Sequence, residues 1–211
     1  MQIAVIVVGA VAEFAGWWRV SSGRAGVWKL MPVVLVVMGI AAAVARPPVA
    51  AETGAVTAVV VGLASGLALY VGTRMFVWLA ARWPPFREDV VEKYEQAGDV
   101  TLATSLVLSL VVMVPAEELF WRGLTLPRLA DAIDPWLAAL VAWIGYIVAN
   151  AASRSLPIVA GAIVGGALWS GLAWWSGGVL AGLASHILWT GLMLALPPGS
   201  GRGAIEEGAA R

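Results

Sequence analysis

The stretch "LVLSLVVMVPAEELFWRGL", Leu106–Leu124, carries an apolar run directly into two adjacent glutamates and an arginine. The apolar part reads as a membrane-spanning helix. The charges at its end need a reason, because ionisable groups within a bilayer are costly and by default mark a functional site. The whole chain shares the apolar character: 61% of its 211 residues are hydrophobic and 12% charged, where soluble domains carry about 25% charge. A net charge of zero and a mean hydropathy of +0.88 argue against a nucleic-acid binder, which needs a basic face. Absence of cysteine excludes disulfides, thiolate metal sites and a cysteine nucleophile. A single histidine, His186, excludes multi-histidine zinc cages. No metal or other cofactor is expected.

A transmembrane helix needs about 20 mostly apolar residues to cross a core about 30 Å thick. That rule predicts an all-α, polytopic helical bundle with about seven spans, near Ile3–Trp18, Leu30–Ala45, Gly54–Leu79, Thr101–Leu119, Pro135–Ala152, Leu156–Trp175 and Gly178–Leu196. The fourth is expected to run past the charged motif towards Leu129. The start, "MQIAVIVVGAVAEFAGWW", lacks a basic n-region and an obvious cleavage site, so it reads as a retained helix. Pro84 to Asp99 is the longest polar loop and reads as an interfacial helix with a solvated charged face. The expected organisation is residues 1–93 as N-terminal helices of unassigned role, 94–197 as the core carrying the motifs, and 198–211 as a polar tail.

Arg19, Arg24 and Lys29 fall in the first loop, Arg82, Arg87 and Lys93 in the third, Arg154 in the fifth, and Arg202 and Arg211 in the tail. The opposite side has Arg46, Arg122 and Arg128. By the positive-inside rule the N terminus is outside and the C terminus cytoplasmic, in a multi-pass protein of the cell membrane. Trp17, Trp18, Trp28, Trp83, Trp136, Trp174 and Trp175 lie where helices meet the interface and are expected to form an aromatic belt. Gly161/Gly165 and Gly178/Gly182 are spaced for close helix packing.

The candidate buried charges are Glu13, Arg74, Glu117, Glu118, Arg122 and His186. On a helix, Glu118 and Arg122 are four apart and pair on one face. Glu117 points about 100° away, with Trp121 and not an arginine at its own i+4 position. One carboxylate is therefore neutralised locally, and the other is free to face the bundle as a general base. Glu13 reads as an interfacial or interhelical partner, and Arg74 as snorkelling to the interface. Asn150 reads equally as a site residue and as a helix C-cap.

Glu117-Glu118-Leu-Phe-Trp-Arg122, with Pro115 before it and Gly123 after it, resembles the EExxxR signature of the CAAX-protease and bacteriocin-processing family, also called the ABI family. The resemblance covers about Tyr94 to Leu196 and extends to two later motifs with departures. Tyr146-xxx-Asn150 stands where the family has Phe-xxx-His, and His186-xxx-Thr190 where it has His-xxx-Asn. The resemblance implies a membrane endopeptidase that activates water without metal. It makes Glu117 the general base, and His186 a donor to the water or the developing oxyanion. Asn150 is the polar substitute for a catalytic imidazole. Glu118, Arg122, Tyr146 and Thr190 are supporting residues. An amide cannot exchange a proton near neutral pH, so losing that partner costs a rate factor of about 10²–10⁴.

The expected partners are therefore the lipid bilayer and a membrane-associated peptide or protein substrate, with no nucleic acid. The rival reading is a catalytically impaired family member acting as a membrane binding protein. A serine-type site using Ser170 with His186 leaves the glutamate pair unexplained, and there is no HExxH for a zinc enzyme. A small transporter lacks the inverted repeat it would need.

Overall fold

A computed structural model describes residues 1–97 and 100–198, without the side chains at 93, 94, 96 and 97. Asp99 and the tail from residue 199, with Arg202, Arg211 and the C terminus, lie outside the described residues.

Apolar sequence of this length has one way to satisfy its backbone in lipid, which is to wind into helices. Among the described residues the chain is helical throughout, as α1 (Gln2–Ser21), α2 (Val27–Ala45), α3 (Ala55–Ala80), α4 (Pro84–Ala97), α5 (Leu102–Ala130), α6 (Pro135–Ala151), α7 (Leu156–Ser176) and α8 (Leu180–Ala195). Helices α1, α2, α3, α5 and α7 are long and apolar enough to cross a membrane; α6 and α8 are shorter and apolar. This is the polytopic bundle that composition predicts. Exposed apolar side chains such as Val7, Val11, Val37, Val44, Val60 and Val164 give it a lipid-facing exterior.

Helix α4 takes up most of the expected interfacial segment. Phe86 and Val90 are its buried face and pack against Val77 of α3. Asp89 ties it to the start of α7, accepting from the backbone N–H of Leu156 and the hydroxyl of Ser155. Helix α3 lies along α8 so closely that a Cβ on Gly62 would stand 2.4 Å from the carbonyl oxygen of Ala181. The two helices meet backbone to backbone, which only small residues permit.

Helix α5 runs on through the motif to Ala130. It is not a uniform α-helix. Leu108–Met113 and Leu119–Thr125 wind as π-helical turns on either side of Val114–Glu118. Such widened turns are rare and concentrate at functional sites. Pro115 sits between them; its missing N–H is one reason the regular ladder is interrupted there.

The tryptophans divide. Trp18, Trp83, Trp136, Trp174 and Trp175 are exposed, as a belt requires. Trp17 is only 8% exposed and faces the interior. One residue along a helix is a rotation of about 100°, enough to separate Trp17 from the lipid-facing Trp18.

Candidate active site

Six charged or titratable side chains from four helices are buried together inside the bundle: Glu13, Glu117, Glu118, Arg122, Tyr146 and His186. On α5, Glu118 Oε1 accepts from Arg122 at 3.2 Å, so the expected i,i+4 pair is formed. The same oxygen lies 2.9 Å from Nδ1 of His186 on α8. Arg122 also donates to the carbonyl oxygen of Gly166 on α7 at 3.2 Å, and its guanidinium lies over the Tyr146 ring at 4.6 Å. Arg122 thus joins α5 to α6 and α7, and Glu118 joins α5 to α8. The other carboxylate oxygen of Glu118 is buried without a hydrogen-bond partner among the described residues. Room for it comes from Gly182, where a Cβ would stand 2.9 Å away.

His186 is held from two directions. Its ring stacks on Trp169 of α7 with centroids 3.4 Å apart and planes 13° from parallel. With Nδ1 turned to a carboxylate, the neutral ring presents the Nε2 lone pair; it donates from Nε2 only when doubly protonated, with Glu118 as counter-charge.

Glu117 takes the other direction around α5. Its Oε2 accepts from the Tyr146 hydroxyl at 3.1 Å, and Oε1 makes no hydrogen bond among the described residues. One helical turn further on α6 is Asn150. Its Nδ2 donates to Glu13 Oε1 at 3.1 Å and to the Tyr146 carbonyl at 3.0 Å. Helix α6 continues to Ala151, and the Asn150 side chain turns to α1 instead of capping its own helix. Glu13, 0% exposed, accepts a second hydrogen bond from Trp121 Nε1 at 2.9 Å. It is thus an interhelical partner.

A cavity of about 720 Å³ opens beside these groups, and Glu117, Tyr146, Asn150, His186 and Thr190 all line it. Glu118, Arg122 and Glu13 stand behind its wall. The lining is not confined to the last four helices, α5 to α8. Leu69, Thr73 and Phe76 of α3, Phe86 and Val90 of α4 and Trp17 of α1 also line it, and its walls are mainly apolar. The reason is packing: α3 lies against α8 and fills the side that four helices leave open. Gly161 and Gly165, expected only to let helices pack, are part of the lining.

Sequence reading passes over three residues that shape the site. Trp169 supports His186, Trp189 donates to Thr73 at 3.0 Å across the cavity wall, and Trp121 anchors Glu13. Trp121 does carry a signal, as the only residue between Glu118 and Arg122 with a polar N–H on its side chain. Arg74 donates to the Tyr70 hydroxyl near the end of α3, away from this cluster. Among the described residues no three His, Asp or Glu side chains are grouped to hold a metal ion.

The fold and site define a class: a polytopic helical membrane protein with a glutamate pair and a histidine around an intramembrane cavity. Residues 99–192 match the family model described as Type II CAAX prenyl endopeptidase Rce1-like. The match covers somewhat under half of the chain and shows that this segment is similar to CAAX-type membrane endopeptidases. No curated protein and no solved structure gave a match.

Proposed function

We propose that the protein is a metal-independent endopeptidase that hydrolyses a peptide bond of a membrane-associated substrate, with Glu117 as general base. The observation that most supports this reading is that Glu117, Asn150 and His186, far apart in sequence, line one cavity inside the bundle. Tyr146 occupies one oxygen of Glu117 and leaves the other for a water. Glu117 takes a proton from that water as its oxygen bonds to the scissile carbonyl carbon. The oxyanion so formed is stabilised by N–H donation from doubly protonated His186, which Glu118 and Trp169 hold in place. Glu117 then returns the proton to the departing amine as the C–N bond breaks. Asn150 contributes a hydrogen bond to the water or the substrate, and Thr190 is a further polar group on the wall.

The apolar walls suit an apolar substrate segment. The family name mentions a prenyl endopeptidase, so a fluorogenic peptide ending in a prenylated cysteine motif is the first probe. Glu117→Gln is expected to lower its cleavage by about 10²-fold or more while the protein stays folded. Cleavage surviving in that variant overturns the mechanism. A chelator is expected to leave activity unchanged.

One observation favours a second reading, a binding protein without catalysis: an amide, not an imidazole, sits at position 150. Asn150→His separates the two. A weakened peptidase gains activity from it, with Glu13 already in place to accept the new N–H; a binding protein stays silent.

The cytoplasmic orientation belongs to the same proposal. The cavity draws on the later half of α3, on α4, on the first half of α7 and the later half of α8. Those are the ends nearest Arg82, Arg87 and Arg154, so the cavity opens to the cytoplasmic side of the cell membrane under the positive-inside rule. The cysteine-free chain makes this simple to check. A Ser22→Cys probe in the α1–α2 loop is expected to resist an impermeant maleimide in intact cells and to label after lysis.

A further inference from the structure

We infer that Glu13 of α1 is a positioning residue of the site: it fixes the amide of Asn150 so that the oxygen, not the nitrogen, faces the cavity. The inference rests on the peptidase reading above and extends it to a helix outside the segment 99–192 that matches the family.

A glutamate at 0% exposure on an apolar helix needs donors for both oxygens. Glu13 has them in Trp121 and Asn150, and both come from the motif-bearing helices α5 and α6. Glu13 itself does not line the cavity, so it does not touch substrate and acts through Asn150.

The effect on Asn150 follows from donor and acceptor counting. The amide nitrogen has two N–H groups, and two acceptors face it, Glu13 Oε1 and the Tyr146 carbonyl. Turning the amide over would set its oxygen against both acceptors and strand both N–H groups. The nitrogen is therefore committed to the protein. The oxygen makes no hydrogen bond among the described residues, and Asn150 lines the cavity. Position 150 thus offers a fixed acceptor to a water or a substrate N–H, at the place where the family has a histidine. An amide free to rotate would offer donor and acceptor alternately.

The test uses the full chain in lipid nanodiscs and the prenylated fluorogenic peptide. Glu13→Gln keeps an acceptor for Trp121 but presents an NH₂ group to Asn150. The Asn150 amide is then expected to turn over and send N–H groups into the cavity. kcat falls by about 10²-fold, KM changes little, and thermal unfolding is unaltered. Combining Glu13→Gln with Asn150→Asp restores an acceptor facing the cavity and is expected to recover most of kcat. Asn150→Asp alone opposes two carboxylates and stays low. A parental kcat in folded Glu13→Gln, or a loss that the double variant does not recover, overturns the inference.

A second readout does not depend on catalysis. Asn150 is the only asparagine in the chain, so ¹⁵N-asparagine labelling gives one side-chain amide signal. Its two protons are expected to be protected from exchange with water in the parent, and at least one to exchange fast in Glu13→Gln. Equal exchange in both overturns the role of Glu13. Failure of the parent to cleave, or cleavage surviving Glu117→Gln, overturns instead the peptidase reading, and the amide signal then still decides on Glu13.

Discussion

Helices α5 and α1 both bury a glutamate in the apolar interior, and they neutralise it in different ways. On α5, Glu118 meets a full positive charge four residues away, with the histidine of α8 as a third member. On α1, Glu13 has no ion-pair partner among the described residues and is held by two neutral N–H donors from α5 and α6. The first arrangement is largely made within one helix. The second exists only once three helices have docked. A carboxylate compensated locally stabilises the helix that carries it, whereas one compensated at a distance reports on how the helices are assembled.

That contrast can be broken by substitution, and the largest effect is expected at Arg122. Arg122→Ala takes the guanidinium from buried Glu118 and leaves it His186 as its remaining partner, which costs about 3–5 kcal/mol. Thermal unfolding in detergent should show a large drop, and cleavage should be lost. Glu13→Ala removes no ion pair; it strands the N–H groups of Trp121 and Asn150, for which about 1–3 kcal/mol is expected. Equal losses in the two variants would erase the distinction between the helices. Gly62→Leu tests the scaffold alone, since it drives α3 from α8 without touching the charges. Overpacking of this kind costs about 1–3 kcal/mol, and the fraction that remains folded should keep its pattern of Asn150 amide protection.

The smallest effect is expected at the end of α2. Arg46 donates to Asp131 at 2.6 Å, joining α2 to the turn after α5. The hydrogen bond from Arg46 holds the Asp131 carboxyl below its ordinary value of 3.8. A depressed carboxylate contributes stability above its unfolded value and loses it as pH falls through the folded one, so the pair matters only above the acid range. Being exposed, it is screened by salt. Asp131→Asn should leave the unfolding temperature at neutral pH essentially unchanged.

The helices were legible because lipid leaves apolar sequence little choice, and α5 continues past the charged motif to Ala130, as the apolar residues Leu119, Phe120, Trp121, Leu124 and Leu126 allow. Within the site, local spacing separated Glu117 from Glu118 and paired the latter with Arg122, since i,i+4 geometry belongs to a single helix. The motif also pointed to Tyr146, Asn150, His186 and Thr190, which line one cavity. Contacts between distant helices were not legible. Glu13 and Asn150 are 137 residues apart, and Glu13 and Trp121 108. No periodicity connects positions so far apart in sequence. Trp17 was assigned to the interface because tryptophan favours both the headgroup boundary and a buried cavity wall, and composition does not distinguish them. The α3 wall escaped for a related reason: small residues such as Gly62 and Gly66 signal a close neighbour without saying which one.

The widened winding at Leu119–Thr125 has a consequence for how this segment tolerates change in length. A loop closed from residue i to i+5 holds one residue more than an ordinary helical turn. Shortening the chain by one within that segment would let it relax into regular winding. Side chains past Thr125 would then keep their facing, because the extra residue has been given up, while those inside the segment would shift by about 100°. Trimming Phe120 alone would carry the indole, the guanidinium and their neighbours out of step with the two acids just upstream. An in-frame loss there should therefore spare the helix beyond Thr125 and damage the site alone.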